Sequence, residues 1–223
     1  MNESVADQHG SELGFERLVF FSDAVMAIAI TLMALEIRIP ELEPEVAAGQ
    51  IDAAIRSLVP QVAVYLLSFV VIGTYWLLHH RLFRLIRRYD VTLIWLNLVF
   101  LMFVAFVPAA TNGLGKYSSL PIVTALYAVS LASVGLSELI LWRYAVNKGF
   151  VVYGSSAPRL NLYITLRLLT PPTIFLLSLL VTWLDPHLAQ ISWALMIPTF
   201  LALRLLFPRE HAARVQFESG VGQ

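Results

Sequence analysis

Six stretches of this chain are each apolar enough, for long enough, to cross a bilayer: Leu18–Ile37, Pro60–Leu78, Val91–Ala110, Pro121–Trp142, Leu160–Trp183 and Leu188–Phe207. A spanning helix needs about 20 mostly apolar residues, because hydrocarbon offers no partner to an unpaired backbone group. None of the six shows the period-two alternation of a barrel strand, so helices are the reading. Charged residues are 13% of the chain and hydrophobic residues 58%. Soluble domains carry about twice that charge, which excludes both an ordinary water-soluble globule and a disordered chain.

The chain therefore reads as an all-α membrane protein with six transmembrane helices. One domain is expected over residues 15–207, between polar tails at Met1–Gly14 and Pro208–Gln223. The first residues lack the basic-then-apolar pattern of a cleaved signal, so the first apolar run is expected to remain as a helix. Lys and Arg set the orientation. With both termini cytoplasmic, the inner side holds Arg17, Arg81, Arg84, Arg87, Arg88, Arg143, Lys148, Arg159, Arg204, Arg209 and Arg214, against Arg38, Arg56 and Lys116 outside.

Composition and motifs exclude several functions. A net charge of zero gives no nucleic-acid footprint, and no nucleic-acid partner is expected. Without cysteine the chain has neither disulfides nor thiolate metal sites. No nucleophile elbow, zinc-protease helix, phosphate loop or dinucleotide turn occurs, so an enzyme is not expected, nor is a cofactor or a bound metal beyond permeating ions. A Thr-Val-Gly-Tyr-Gly filter loop is also missing, which excludes the common carbonyl-lined potassium channel.

Ionisable residues inside a span need a partner or a wet cavity. Asp23, Glu138 and Arg167 are the costly ones. Ion pairs near the inner edge of the bundle or a proton or ion relay both account for them; Glu138 and Arg167 lie at similar depths and are candidates to pair. His79 and His80 point about 100° apart on a helix, which suits a histidine bonding a first-helix acid or a backbone group better than a shared metal. Arg81, Arg84 and Arg87 have the spacing of a voltage sensor, but at a helix end they read as inside anchors. Pro171-Pro172 is expected to break the fifth helix.

In the first helix, periodicity sets Ala24, Ile28, Thr31, Leu32 and Leu35 on one stripe and Asp23, Ala27, Ile30 and Ala34 on another. The second stripe carries the carboxylate and small residues, so it is expected to face protein. The first is branched and apolar with one hydroxyl, a pattern shared by lipid-facing, packing and pore-lining faces.

Arg17, Phe21, Ser22 and Asp23 form Arg-x-x-x-Phe-Ser-Asp, followed by Ala-x-x-Ala-Ile-Ala-Ile-Thr-Leu. This run resembles the signature of the transmembrane protein 175 family, the lysosomal and prokaryotic potassium-permeable channels. Trp76, His79 and His80, then Leu96-Asn97-Leu98 and Phe106-Val107-Pro108, extend the resemblance. The signature occurs once, as in the single-repeat prokaryotic branch. The resemblance implies a homotetramer in a prokaryotic cell membrane, passing potassium through a central pore lined by the first helices. It places Ile28, Thr31, Leu32 and Leu35 in that lining, with Ile28 at a hydrophobic constriction. It also implies that Arg17, Ser22 and Asp23 tie the pore helix to the second and third helices, with Trp76, a histidine of the His79–His80 pair and Asn97 as partners. Glu36, near the outer end of the first helix, is either a cation-concentrating carboxylate or a solvated helix end. A secondary transporter and a non-transporting membrane scaffold are the alternatives.

Overall fold

A computed structural model describes residues 2–37, 44–152 and 157–212, with side chains over 13–37, 51–56, 58–152 and 157–212. Those residues form helices α1 (Asn2–Leu35), α2 (Pro44–Leu85), α3 (Val91–Tyr117), α4 (Pro121–Asn147), α5 (Pro158–Thr182), α6 (Pro186–Ser192) and α7 (Met196–Leu206). A 3₁₀ turn, Trp193–Leu195, joins α6 to α7. Six spans are long and apolar enough to cross a membrane: Leu13–Leu35, Ile51–Leu85, Val91–Tyr117, Pro121–Asn147, Pro158–Thr182 and Pro186–Leu206. The chain is a multi-pass, all-α membrane protein. Arg38, Glu41, Glu43, Arg214 and most of the C-terminal tail lie outside the described residues, whereas the N-terminal segment continues α1 as helix.

Local chemistry sets the helix starts. Pro121, Pro158 and Pro186 open α4, α5 and α6, where a missing N–H costs nothing and the fixed φ suits the first turn. Asp90 caps α3 by accepting from Leu93 N at 2.8 Å and takes the Tyr144 hydroxyl of α4 at 2.6 Å. The Tyr144 hydrogen bond, helped by Leu93 N–H, holds the Asp90 carboxyl below its ordinary value. Beyond α4 the chain reverses at Gly149, whose φ of 66° is a left-handed conformation that glycine adopts freely. The residues that follow lie antiparallel to the end of α2, with Arg87 N donating to Phe150 O at 2.7 Å and Val152 N to Leu85 O at 2.8 Å. One end of the bundle is thereby laced together, and it is the arginine-rich end.

Helix α4 is the most buried span, packed between α3 and α5. Helix α1 leans on α3 and α2 at the edge. One apolar cluster joins Met26, Ala29 and Met33 to Phe100, Val104, Tyr127, Leu131 and Phe175. A second, at the arginine-rich end, joins Leu18 and Phe83 to Leu93, Trp142, Tyr163 and Leu168.

The expected break at Pro171-Pro172 does not occur: α5 runs unbroken from Pro158 to Thr182. Its proline pair is buried where Gly135 of α4 leaves room. A Cβ on Gly135 would lie 2.7 Å from Pro172 Cδ and 2.9 Å from Tyr75 Oη, so the absent side chain is what lets the helices close around the rings. The irregular span is the sixth. Pro198 has no N–H for the carbonyl four residues back, and the 3₁₀ turn falls at that gap. We expect Gly135→Ala to lower stability by about 1–3 kcal/mol through overpacking. A thermal melt of the detergent-solubilised protein measures this, and an unchanged melting temperature would mean that α4 and α5 have slack there.

Candidate pore helix and its polar anchors

Helix α1 presents three faces. Leu18, Ser22, Met26, Ala29 and Met33 recur at three- and four-residue steps and are buried against the bundle. Ala24, Ile28, Thr31, Leu32 and Leu35 are all exposed, with Ile28 at 57% and Leu35 at 72%. Between these faces lie Asp23 and Ile30, half-buried, and Ala27 and Ala34, exposed. Within the chain itself, the Asp23–Ala34 stripe meets protein only along its edge, at Asp23 and Ile30. The carboxylate needs one neighbour rather than a whole buried face, and the methionines supply the contact volume.

Two side-chain ties fix that rotation. Trp76 Nε1 of α2 donates to Asp23 Oδ1 at 2.8 Å. Asn97 Nδ2 of α3 donates to Ser22 Oγ at 2.8 Å, and Ser22 Oγ donates to Leu18 O at 2.9 Å. Adjacent residues on α1 therefore hold two different helices. Farther along, Asn112 of α3 donates to Glu36 at the other end of the span.

The other sequence-selected residues fall in several places. Arg17 and Phe21 are exposed, on the same side of α1 as Ala24 and Ile28, and no ion pair joins Arg17 to Asp23 among the described residues. The His80 ring packs tilted against that of Trp76, 5.6 Å between ring centres. Among the described residues, His79 bonds neither a first-helix acid nor a backbone group. It lies fully inside the bundle, between Phe83 and Phe100, with Nδ1 3.9 Å from Glu138 Oε1 of α4. Glu138 therefore faces His79 and not Arg167, which instead donates to Tyr163 Oη at 3.2 Å. Register explains the outcome. Along α2 and α4, Ser68 meets Tyr127 at 3.0 Å and Tyr75 Oη donates to Leu131 O at 3.0 Å, so the same seam brings His79 to Glu138.

This α2–α4 seam is what sequence reasoning missed. Thr111 Oγ1 extends it by donating to Ser68 Oγ at 3.0 Å. Its one sequence signal is the placement of Ser68, Tyr75 and His79 on one helical face of α2. No group of three or more His, Asp or Glu side chains that would hold a metal occurs among the described residues.

The stripe on α1 bears one polar group. Thr31 Oγ1 donates to Ile28 O at 2.9 Å, which uses its proton and leaves the oxygen lone pairs as its outward chemistry. The remainder of the stripe is hydrocarbon.

Residues 17–108 match the family described as endosomal/lysosomal potassium channel TMEM175. A potassium channel of Streptomyces collinus is 36% identical over 137 residues, covering 60% of this chain and 65% of that protein. The human endosomal/lysosomal proton channel TMEM175 is 31% identical over 131 residues, covering 58% of this chain and 25% of that protein. The matched region thus spans less than two thirds of these relatives' own length. The crystal structure of a lysosomal potassium-selective channel TMEM175 homolog from Chamaesiphon minutus superposes with a TM-score of 0.73 at 28% identity, covering 85% of this chain and 98% of that one.

Replacing Asp23 by Ala removes one tie and leaves the indole N–H of Trp76 without its acceptor, a loss of about 1–3 kcal/mol. We expect Asp23→Ala to lower the melting temperature of the detergent-solubilised protein. An unchanged melting temperature would mean that the tie to Trp76 does not hold α1 in place.

Proposed function

We propose that this chain, whose residues 17–108 match the TMEM175 family of channels, is a potassium-permeable channel whose pore is lined by α1 in a homotetramer. The observation that carries this reading is the uncovered stripe Ala24, Ile28, Thr31, Leu32 and Leu35 on a helix whose opposite side is tied down at Ser22 and Asp23. A helix anchored in that way holds its free stripe at a defined angle. Four such helices around an axis place four copies of each side chain in one ring.

The chemistry of each ring follows from its side chains. A ring of Ile28 excludes water when narrow and passes a hydrated ion when it widens, so it acts as a hydrophobic constriction in place of a carbonyl filter. Leu32 and Leu35 extend the apolar lining. Thr31 offers oxygen to an ion that has shed part of its shell, and the weaker hydration of potassium makes that exchange easier than for sodium. Glu36, held by Asn112 near the end of α1, raises the local cation concentration by its field. The pore contains no cofactor; potassium is the permeating species. With the arginine-rich end inside, both termini are cytoplasmic in a prokaryotic cell membrane, and the channel domain occupies residues 15–207 between its two tails.

One observation favours a second reading. The buried His79–Glu138 pair offers exchangeable protons away from α1, as a proton-coupled secondary transporter requires. Purified protein in potassium-loaded liposomes separates the two. A channel lets flux run until the Nernst potential is reached and needs no second gradient; a transporter saturates and moves a coupled ion. We expect passive flux, with Thr31→Val, which keeps the branched shape and deletes the hydroxyl, bringing the potassium-to-sodium permeability ratio toward one. Saturating coupled flux would overturn the channel reading. A wild-type ratio in Thr31→Val would transfer selectivity to the apolar rings.

A further inference from the structure

The seam between α2 and α4 closes over two ionisable side chains that take no part in the α1 stripe. Glu138 of α4 is 0% exposed and His79 of α2 is 2% exposed, with Nδ1 3.9 Å from Oε1. That separation is beyond hydrogen-bonding reach. Among the described residues, neither ring nitrogen of His79 and neither carboxyl oxygen of Glu138 has a hydrogen-bond partner. The imidazole lies against Phe83 and parallel to Phe100 of α3, 4.6 Å between ring centres for the latter. Nearby polar groups are engaged elsewhere. Tyr75, one turn earlier on α2, gives its hydroxyl proton to Leu131 O, and Tyr127 of α4 is joined to Ser68. His80 turns to Trp76, Asp23 of α1 accepts from Trp76, and Asn97 of α3 donates to Ser22. Arg167 of α5 donates to Tyr163.

Ionising both members of the pair would put two charges into a core of low dielectric constant. Such a pair recovers its desolvation cost only with close geometry and further hydrogen bonds to the remaining atoms. Neither condition is met here. Ionising Glu138 alone is costlier still, because the imidazole opposite is then neutral and offers no compensating charge. The arrangement with least charge is a carboxylic acid facing a neutral imidazole. It contains one proton more than the two side chains carry in water above neutral pH.

We propose that Glu138 and His79 form a proton-binding site in the core of the bundle, with the proton held on Glu138 at neutral pH. The ligand is a single proton, and its loss would leave a bare carboxylate between α2 and α4. The site uses no residue of the α1 stripe and stands independently of the channel reading. Folding takes the proton up, since a glutamate in water releases it above about pH 4. The unfolded state therefore binds fewer protons than the folded one. Stability from this site declines as pH rises, by up to about tenfold in the folding equilibrium constant per pH unit.

Infrared spectroscopy of the detergent-solubilised protein near about pH 8 tests this, because ordinary carboxyl groups are then ionised. We expect the wild type to show the C=O band of a protonated carboxyl that shifts when glutamate is labelled with carbon-13 at its side-chain carboxyl. Glu138→Gln should lose the band, whereas Glu36→Gln, which alters the half-buried carboxyl at the end of α1, should keep it. Glutamine has the shape of the neutral acid, so between about pH 6 and about pH 9 the melting temperature of the wild type should fall relative to that of Glu138→Gln. Absence of the band in the folded wild type would overturn the proposal, as would its survival in Glu138→Gln or its loss in Glu36→Gln. Melting temperatures that move in parallel with pH would overturn it too. Should Glu138→Gln not fold, His79→Leu removes the imidazole and leaves the acid in an apolar site, where the band should persist; its disappearance in folded His79→Leu would contradict a proton held on Glu138.

Discussion

Two hydrogen bonds from neighbouring residues decide which way the first helix faces. Asp23 is tied to Trp76 of α2 and Ser22 to Asn97 of α3, so α1 is pinned from two directions within one turn. Apolar packing alone does not accomplish this. In hydrocarbon, a helix with Met26, Ile28, Ala29, Leu32 and Met33 all round it gains little from turning one apolar face or another toward its neighbours. Polar ties are directional, and their cost when unmade is high. The direction in which the exposed stripe faces depends on that rotation.

Hydropathy made most of the fold legible. The six spans recur in the structure, with α2 and α4 longer than their apolar runs because charged and polar residues such as Arg81, Arg84 and Asn147 continue the helix past the apolar stretch. Periodicity also isolated the stripe Ala24–Leu35, since side chains on one helical face share a direction whatever surrounds them. Which face turns inward was not legible. Residue size favours Ala27 and Ala34 for close contact, whereas within the chain the neighbouring helices pack on Met26, Ala29 and Met33. Both sets are apolar, and a hydropathy pattern does not separate protein contact from lipid contact.

Two departures from the local sequence pattern share a physical origin. Pro171-Pro172 signals a break by local rules, yet a glycine in another helix, Gly135, accommodates the pair. Glu138 and Arg167 share a depth, yet depth does not specify azimuth, and the seam between α2 and α4 delivers His79 to the carboxylate. Each outcome rests on the register between helices far apart in the chain. The signature around Asp23 was easier to read because its residues lie close together, although its Arg17 is exposed and takes no part in the observed ties. The bundle thus separates two kinds of polar site. A core seam of hydroxyls, a histidine and a carboxylate holds α2 to α4, while the α1 stripe keeps one hydroxyl among hydrocarbon side chains.

Cysteine accessibility tests the central claim, that this stripe lines the ion path, most directly. The native chain contains no cysteine, so a single substitution supplies the only thiol. Ile28→Cys and Leu180→Cys compare the stripe with an exposed position on α5, and each would be treated with a membrane-impermeant cationic thiol reagent during potassium flux from liposomes. The account predicts that modification at Ile28 blocks flux and that added potassium slows the modification, while Leu180→Cys is unaffected. Unchanged flux after demonstrated labelling of Ile28→Cys would contradict the proposed constriction, where a charged adduct has to impede the ion.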